Sequence, residues 1–190
     1  RITDYFLADL SPAGRELAAT AALLPAFDVA VLRQVLPLAS QETQEPEESL
    51  YAAYIDHIRS LLAAGLAAWN MDVGAYYMTN YTVRRLLARS FQVLHPECFT
   101  RIHRTAMAYY QSEARHAGYL HRTLVSTLYH TAYAQSDQTD INIGEFCKRW
   151  VQDNVPMWDR ADWPAVLKAW ESGAGDIALQ EELGALLGVE

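Results

Sequence analysis

The chain has 190 residues, a formal net charge of −8 and 51% hydrophobic residues, which is typical of a globular protein and excludes a disordered segment. The acidic balance disfavours a general binder of nucleic acid or anionic membranes, because phosphate binding needs a surplus of cations. The two cysteines, Cys98 and Cys147, have no metal-ligand spacing. We therefore expect reduced thiols in a cytoplasmic protein with no membrane span and no signal peptide.

The first third of the chain predicts short helices with clear boundary signals. Ser11 followed by Pro12 is typical of a helix start, with Ser at the cap and Pro at the first helical position. Asp28 predicts the cap of a second short helix. The polar stretch 39–48 predicts a surface loop, and the helix that follows is predicted to end at Gly65.

The stretch 66–91 predicts a two-stranded wing followed by a helix. Gly74 lies in a turn between two short extended segments, where it is free to adopt a positive φ angle. Either Asn80 or Thr82 predicts the N-cap of the next helix. Its expected core-facing positions have helical spacing and are Val83, Leu86, Leu87 and Phe91. A helix, a wing and another helix form the core of a winged-helix domain.

Residues 95–190 predict helices only, joined by short loops in antiparallel pairs. Paired helices of this length suit the first units of an α-solenoid. We therefore expect a mainly α fold in which 1–94 form a winged-helix domain with a short two-stranded wing. Residues 95–190 are expected to form a helical, repeat-like array, the start of an α-solenoid-like tail.

Three segments together resemble a known family. The segment 10–32 reads LSPAGRELAATAALLPAFDVAVL, 76–84 reads YYMTNYTVR, and 102–110 reads IHRTAMAYY, with Tyr129 and His130 later. In this order and spacing they resemble the winged-helix and first helical-repeat region of STAND signalling NTPases, the NACHT and NB-ARC type ATPases. The resemblance covers most of the chain from Ile2 to Ala134.

The resemblance implies a non-catalytic regulatory fragment that packs on an upstream nucleotide-binding domain of the same chain. It implies that this region couples signal sensing to ATPase activation and oligomerisation, and that a protein ligand could bind the helical tail. No G-x-x-x-x-G-K-[ST] occurs here, so ATP or ADP is expected only in the full-length parent and no cofactor in this fragment. The absent initiator Met agrees with an excised fragment.

The resemblance also indicates site residues. The family often has a His near the start of the helix after the wing, touching the β-phosphate of ADP, and the matching position here is Asn80. Asn80 and Arg84 are therefore the nucleotide-sensing candidates, and Arg85 and Arg89 a possible interface. We expect Arg84 and Arg85 to face at least partly outward.

The alternative function is a winged-helix DNA-binding transcriptional regulator. In such a protein the helix before the wing enters the major groove. Here that helix has Asp56, His57 and Arg59, and a groove-reading helix should be richer in Arg, Lys, Asn or Gln. Seven arginines are the candidates for a basic patch: Arg84, Arg85, Arg89, Arg101, Arg104, Arg115 and Arg122. A solvated helix face is the more ordinary reading, so DNA binding is not expected.

Neither a metal site nor a catalytic set is expected. Glu113 and His116 have the E-x-x-H spacing of di-iron bundles, but no second such pair occurs. His103 and His130 lie beside apolar positions and are interpreted as satisfied core or boundary residues. The four tryptophans of the C-terminal third are interpreted as core residues and, less favourably, as partner contacts: Trp150, Trp158, Trp163 and Trp170.

Overall fold

A computed structural model describes residues 5–36, 47–71, 74–113 and 120–134, and within these ranges every side chain except those at 47, 120–122, 124, 125, 128 and 132. This part of the chain is mostly helical with one small antiparallel sheet. Its elements are α1 (Pro12–Ala21), α2 (Val29–Val35), α3 (Glu47–Ala63), β1 (Ala67–Asn70), β2 (Ala75–Met78), α4 (Tyr81–Leu94), α5 (Pro96–Glu113) and α6 (Leu120–Ala134).

Side-chain caps start three of these helices, as the sequence predicts. The Ser11 hydroxyl accepts a hydrogen bond from the Gly14 N–H at 3.1 Å, which begins α1. The Asp28 carboxylate accepts from the Val31 N–H at 2.9 Å at the start of α2. Asn80, and not Thr82, is the N-cap of α4. Each cap satisfies a backbone N–H that has no partner within its own helix.

Two glycines shape the transition from α3 into the hairpin. Gly65 has a φ of 68°, and the Leu66 N–H donates back to the Leu61 carbonyl at 3.0 Å. This is a Schellman end, which needs a residue that tolerates positive φ. Gly74, with a φ of 65°, supplies the same freedom in the turn between β1 and β2.

The hairpin is tied to the segment between α1 and α2. Phe27 forms an isolated antiparallel bridge with Tyr76 of β2, through two backbone hydrogen bonds of 2.8 Å each. The two rings also stack, with centroids 5.9 Å apart. One residue between the first two helices therefore extends the two-stranded sheet on the β2 side.

The core is made of apolar side chains from α1 to α5, the hairpin and the segments that connect them, and Tyr133 of α6 packs against it. Its largest fully buried members are Tyr54, Tyr110, Phe27, Leu17, Leu23, Leu24, Leu32 and Leu61. The two tyrosines also satisfy their hydroxyls internally. Tyr54 donates to the Leu36 carbonyl at 2.6 Å, and Tyr110 donates to the Ala26 carbonyl at 3.2 Å.

Helix α5 belongs to the same core as the elements before it. Phe99, Ile102 and Ala106 are buried together with the core residues of α1 and α2. In the described part of the chain, the division expected at residue 94 therefore falls inside one continuous core. The helices predicted within 143–187 fall outside the described residues. So does the loop predicted at 39–48, except for residues 47 and 48, which lie in α3. None of the described helices is long and apolar enough to cross a membrane.

Candidate functional site

Helix α4 faces the core with a different set of residues from the predicted one. Val83 and Leu87 are buried as expected, but Leu86 is 40% exposed and Arg84 only 5% exposed. At 3.6 residues per turn, position 84 lies roughly 20° from Phe91 and roughly 60° from Leu87, so it falls on the inner face. Leu86 lies about 100° from Leu87 on the other side. The expectations that Leu86 faces the core and that Arg84 faces outward are therefore wrong.

The buried Arg84 side chain joins three parts of the fold. Its Nε donates to the Ala22 carbonyl at the end of α1, at 3.1 Å. Its Nη2 donates to the Tyr129 hydroxyl of α6 at 3.2 Å, and the guanidinium lies 5.4 Å from the centre of the Tyr129 ring. A guanidinium suits this position because its planar fork donates several hydrogen bonds in fixed directions. Arg84 thus connects the helices before the hairpin to the last described helix.

Next to Arg84, two histidines meet between α5 and α6. The Nδ1 atom of His103 lies 2.8 Å from the Nδ1 atom of His130, and the two residues are 1% and 0% exposed. This distance is that of an N–H···N hydrogen bond, in which one nitrogen carries a hydrogen and the other does not. At least one of the two rings is therefore neutral. The two rings share one hydrogen between their Nδ1 atoms.

Aromatic side chains enclose the histidine pair. The Tyr110 ring stacks on His130 with an interplanar angle of 10°, and Tyr133 stacks on His103 with an angle of 26°. Burial and, to a lesser extent, the positive charge of Arg84 together lower the pKa of His103 to about 3. Burial, then His103 and then Arg84 hold the pKa of His130 well below its ordinary value of 6.5. Both rings are therefore neutral near pH 7.

Within the described part of the chain, the outer nitrogens of the pair have no hydrogen-bond partner. The Nε2 atoms of His103 and His130 are both buried and unsatisfied, as is the Ser126 hydroxyl of α6. The expectation that both histidines are core residues is confirmed by their burial, but each is satisfied only at Nδ1. A buried polar atom without a partner costs on the order of 1–3 kcal/mol.

The pair does not have the geometry of a metal centre. Two imidazole nitrogens bound to one tetrahedral zinc ion lie ~3.3 Å apart, given metal–nitrogen distances of about 2.0–2.1 Å. The nearby guanidinium would also repel a cation. Among the described residues, no group of three or more His, Cys, Asp and Glu side chains could hold a metal ion.

The other predicted site residues lie on the outside of α4. Asn80 is exposed, and its side-chain oxygen accepts from the Val83 N–H at 3.1 Å as the helix cap. Arg85 is exposed with its guanidinium 5.6 Å from the centre of the Tyr81 ring. Arg89 is exposed and donates to the Gln92 side chain at 2.8 Å. Asn80 at the N-cap and Arg85 and Arg89 on α4 are therefore all exposed, whereas Arg84 is buried on the inner face of the same helix.

Several other predicted features are only partly described. Arg101 and Arg104 are exposed on α5, whereas Arg115 and the side chain of Arg122 lie outside the described residues. Of the E-x-x-H pair, Glu113 ends α5 and His116 is not described. The four tryptophans of the C-terminal third also lie outside the described residues.

The sequence pattern around His130 does not indicate the buried histidine pair. On α6, polar residues recur at helical spacing, and the described ones are buried: Thr123, Ser126, Thr127, His130 and Thr131. A polar helical stripe normally indicates a solvated face, so the pattern alone would have placed it outside.

No family model, curated protein or solved structure matches the chain.

Proposed function

We propose that this chain is a winged-helix module with attached helices, and that it acts as a non-catalytic regulatory part of a STAND-type NTPase. The order of elements supports the winged-helix assignment: α1, the bridging residue Phe27, α2, α3 and the hairpin follow one another as in that fold. The sequence resemblance supports the family. The proposed work is a shift between closed and open states of the ATPase, driven by burial of an interface.

One observation carries the proposal of a protein interface. The exposed side of α4 combines arginines with large apolar side chains, since Leu86 is 40% and Val93 65% exposed. Arg85 and Arg89 lie on the same outward side. Arginine and apolar groups together are typical of protein–protein contacts, whereas a purely solvated helix face has no need of the apolar residues. We assign this surface, residues 85, 86, 89 and 93, as the α4 surface that packs on the nucleotide-binding domain.

Asn80 keeps its proposed nucleotide role within this assignment, and Arg84 does not. Asn80 is exposed at the N-terminus of α4, where free N–H groups and the helix dipole favour a phosphate. It carries no charge, so its contribution to ADP binding is small. Arg84 instead positions α6 through the Tyr129 hydroxyl, and an ADP contact would require that its bonds inside the fold be broken.

The DNA-binding alternative gains no support from the helix that would enter the groove. On α3, the Arg59 guanidinium bonds the Asp56 carboxylate at 3.1 Å, and both side chains are exposed. The outward side also carries Glu48, so the described part of this face has no excess of cations. Strong duplex binding relies on cations that neutralise phosphates. We therefore expect at most weak, salt-sensitive binding to duplex DNA in a fluorescence anisotropy titration.

The function is tested in the full-length protein that contains this chain. Arg85→Glu with Arg89→Glu reverses the charge of the α4 surface. Arg104→Glu, at an exposed position of α5, is the matched control. We expect the double variant to lose bound ADP and to raise the basal ATPase rate several-fold, with the control unchanged. Asn80→Ala should lower ADP occupancy slightly.

Two results would contradict the proposal. One is a full-length protein without a nucleotide-binding domain, or with unchanged ADP occupancy and ATPase rate in the Arg85/Arg89 variant. The other is sub-micromolar affinity for a duplex at physiological salt, which would favour the transcriptional regulator instead.

A further inference from the structure

Several of the described residues that α6 buries have polar side chains. Its described buried residues are mostly polar, whereas those of α1 and α2 are mostly apolar. Two of the α6 hydroxyls, on Thr127 and Thr131, donate to carbonyls one turn earlier in the same helix, at 2.7 Å each. These bonds do not reach another element. Among the described side chains of α6, His130 contacts His103 of α5 and Tyr129 contacts Arg84 of α4.

Proton uptake conflicts with this contact in two ways. A single added proton places a positive charge in a dry site beside the Arg84 guanidinium, which costs free energy through desolvation and repulsion. A second proton leaves both Nδ1 atoms as donors, so the 2.8 Å hydrogen bond between them is lost. Both penalties disappear when α6 separates from α5, because water then surrounds the rings.

We propose that the His103–His130 pair is a proton-operated latch: α6 stays docked on α5 while both imidazoles are neutral, and acid releases it. The inference does not rest on the proposed function, since it follows from the site's chemistry alone. Released α6 would expose the aromatic side chains that surround the pair. The signal would be a fall in pH below the ordinary histidine pKa of about 6.5.

The described groups that face the histidine pair do not stabilise its protonated form. From α4, Arg84 is positively charged and opposes it. From α5 the neighbour is Tyr110, and from α6 Tyr129 and Tyr133, which are neutral hydroxyl-bearing rings near pH 7. The charged residue of α2, Arg33, is not among the charges that shift either ring.

Linkage gives the size of the response. If the released rings have a pKa of about 6.5, lowering the pH from 7 to 5 raises the opening constant roughly 25-fold for each histidine that takes up a proton. Two histidines give a combined increase of several hundred-fold. The pH dependence is therefore steeper than one group can produce.

The test uses the full chain and two readouts. Histidine-selective ¹⁵N and ¹³C NMR follows the protonation of each ring between pH 7.5 and 4.5. Hydrogen exchange measured by mass spectrometry compares the protection of α6 with that of α2 in the same sample at pH 7 and pH 5. The ratio of the two protections removes the pH dependence of the intrinsic exchange rate.

A double variant and a control isolate the pair. His103→Leu with His130→Leu replaces both polar partners by apolar groups, which removes the proton sites without leaving one partner unsatisfied. His57→Gln removes a histidine from α3. We expect α6 protection relative to α2 to fall at least tenfold at pH 5 in the wild type and in His57→Gln, and to stay unchanged in the double variant.

The proposal is overturned if the wild-type rings of His103 and His130 titrate near pH 6.5 while α6 stays protected. It is also overturned if the double variant loses α6 protection at pH 5 as the wild type does. Should the double variant fail to fold, the wild-type NMR and exchange data decide alone: the two rings must gain protons only together with the loss of α6 protection.

Discussion

The core around α1 and α2 and the contact between α5 and α6 around His103 and His130, called the seam below, are buried to the same extent. They differ in polarity, because the core side chains are apolar and the two histidines are polar. Leu17 and Leu32 are 0% exposed in the core, and His130 is 0% exposed in the seam. Burial of apolar groups is non-directional and depends little on pH. The described part of the seam also contains directional hydrogen bonds, and the bond between His103 and His130 depends on the protonation state of the two rings. Equal burial therefore does not mean equal dependence on solution conditions.

The contrast predicts different responses to mutation. In the core, a truncated side chain loses transfer free energy and leaves a cavity, so the cost is graded with volume. In the seam, removing one partner leaves another buried group without a hydrogen bond, so the cost depends on what remains. The predictions below separate these two behaviours, from the largest expected effect to the smallest.

The largest effect is expected from a matched pair of leucines on α4. Leu87 is 4% exposed and Leu86 40% exposed. Leu87→Ala should lower the free energy of unfolding by ~2–5 kcal/mol, and Leu86→Ala by less than about 1 kcal/mol. Urea unfolding followed by circular dichroism measures both. Equal costs for the two variants would show that the inner face of α4 has been assigned incorrectly.

A fall in pH should weaken the seam in a defined direction. Because the pKa of His103 is lowered to about 3, this ring is neutral in the folded chain and takes up a proton on unfolding below its ordinary pKa of 6.5. Its contribution is therefore complete above pH 6.5 and is lost as the pH falls toward 3. At pH 5 the loss from His103 is about 2 kcal/mol, and His130 adds to it in the same direction.

The measurement compares urea unfolding at pH 7 and pH 5 in the wild type and in the variant with leucine at both histidine positions. Carboxylates elsewhere titrate in both proteins, so only the difference between them reports the pair. An identical loss of stability in the two proteins would contradict the assignment.

A smaller effect is expected from a matched pair of arginines. Arg84→Ala leaves the Ala22 carbonyl and the Tyr129 hydroxyl without this donor, and it should cost on the order of 1–3 kcal/mol. Arg84→Lys should recover only part of the loss, because a single ammonium cannot reproduce the planar fork. Arg85→Ala, at an exposed position, should stay within about 0.5 kcal/mol of the wild type. Thermal melting of the three variants measures the order of their stability losses. An Arg84→Ala variant as stable as the wild type would contradict the prediction.

Local signals in the sequence predicted the local structure well. Ser11, Asp28 and Asn80 cap helices, and Gly65 and Gly74 adopt positive φ, because such features depend on a few neighbouring residues. Mainly helical structure with one two-stranded hairpin was also predictable from these signals. The winged-helix assignment, the STAND family and the regulatory role remain predictions.

The site was less predictable because it depends on contacts between distant positions. Arg84 and Tyr129 are 45 residues apart, and His103 and His130 are 27 residues apart. A helical pattern weighted by hydropathy places arginine, threonine and serine outside. Only the tertiary arrangement shows that a guanidinium and a polar stripe are buried together.

The most direct test of the difference between the core and the seam is native-state hydrogen exchange in increasing urea at pH 7. If α6 is held by the polar seam, its amides should exchange through a local opening of low free energy and weak urea dependence. The amides of α2, in the apolar core, should exchange only through global unfolding. If the amides of α6 and α2 instead exchanged with the same free energy and the same urea dependence, the two regions would unfold as one, which would contradict this account.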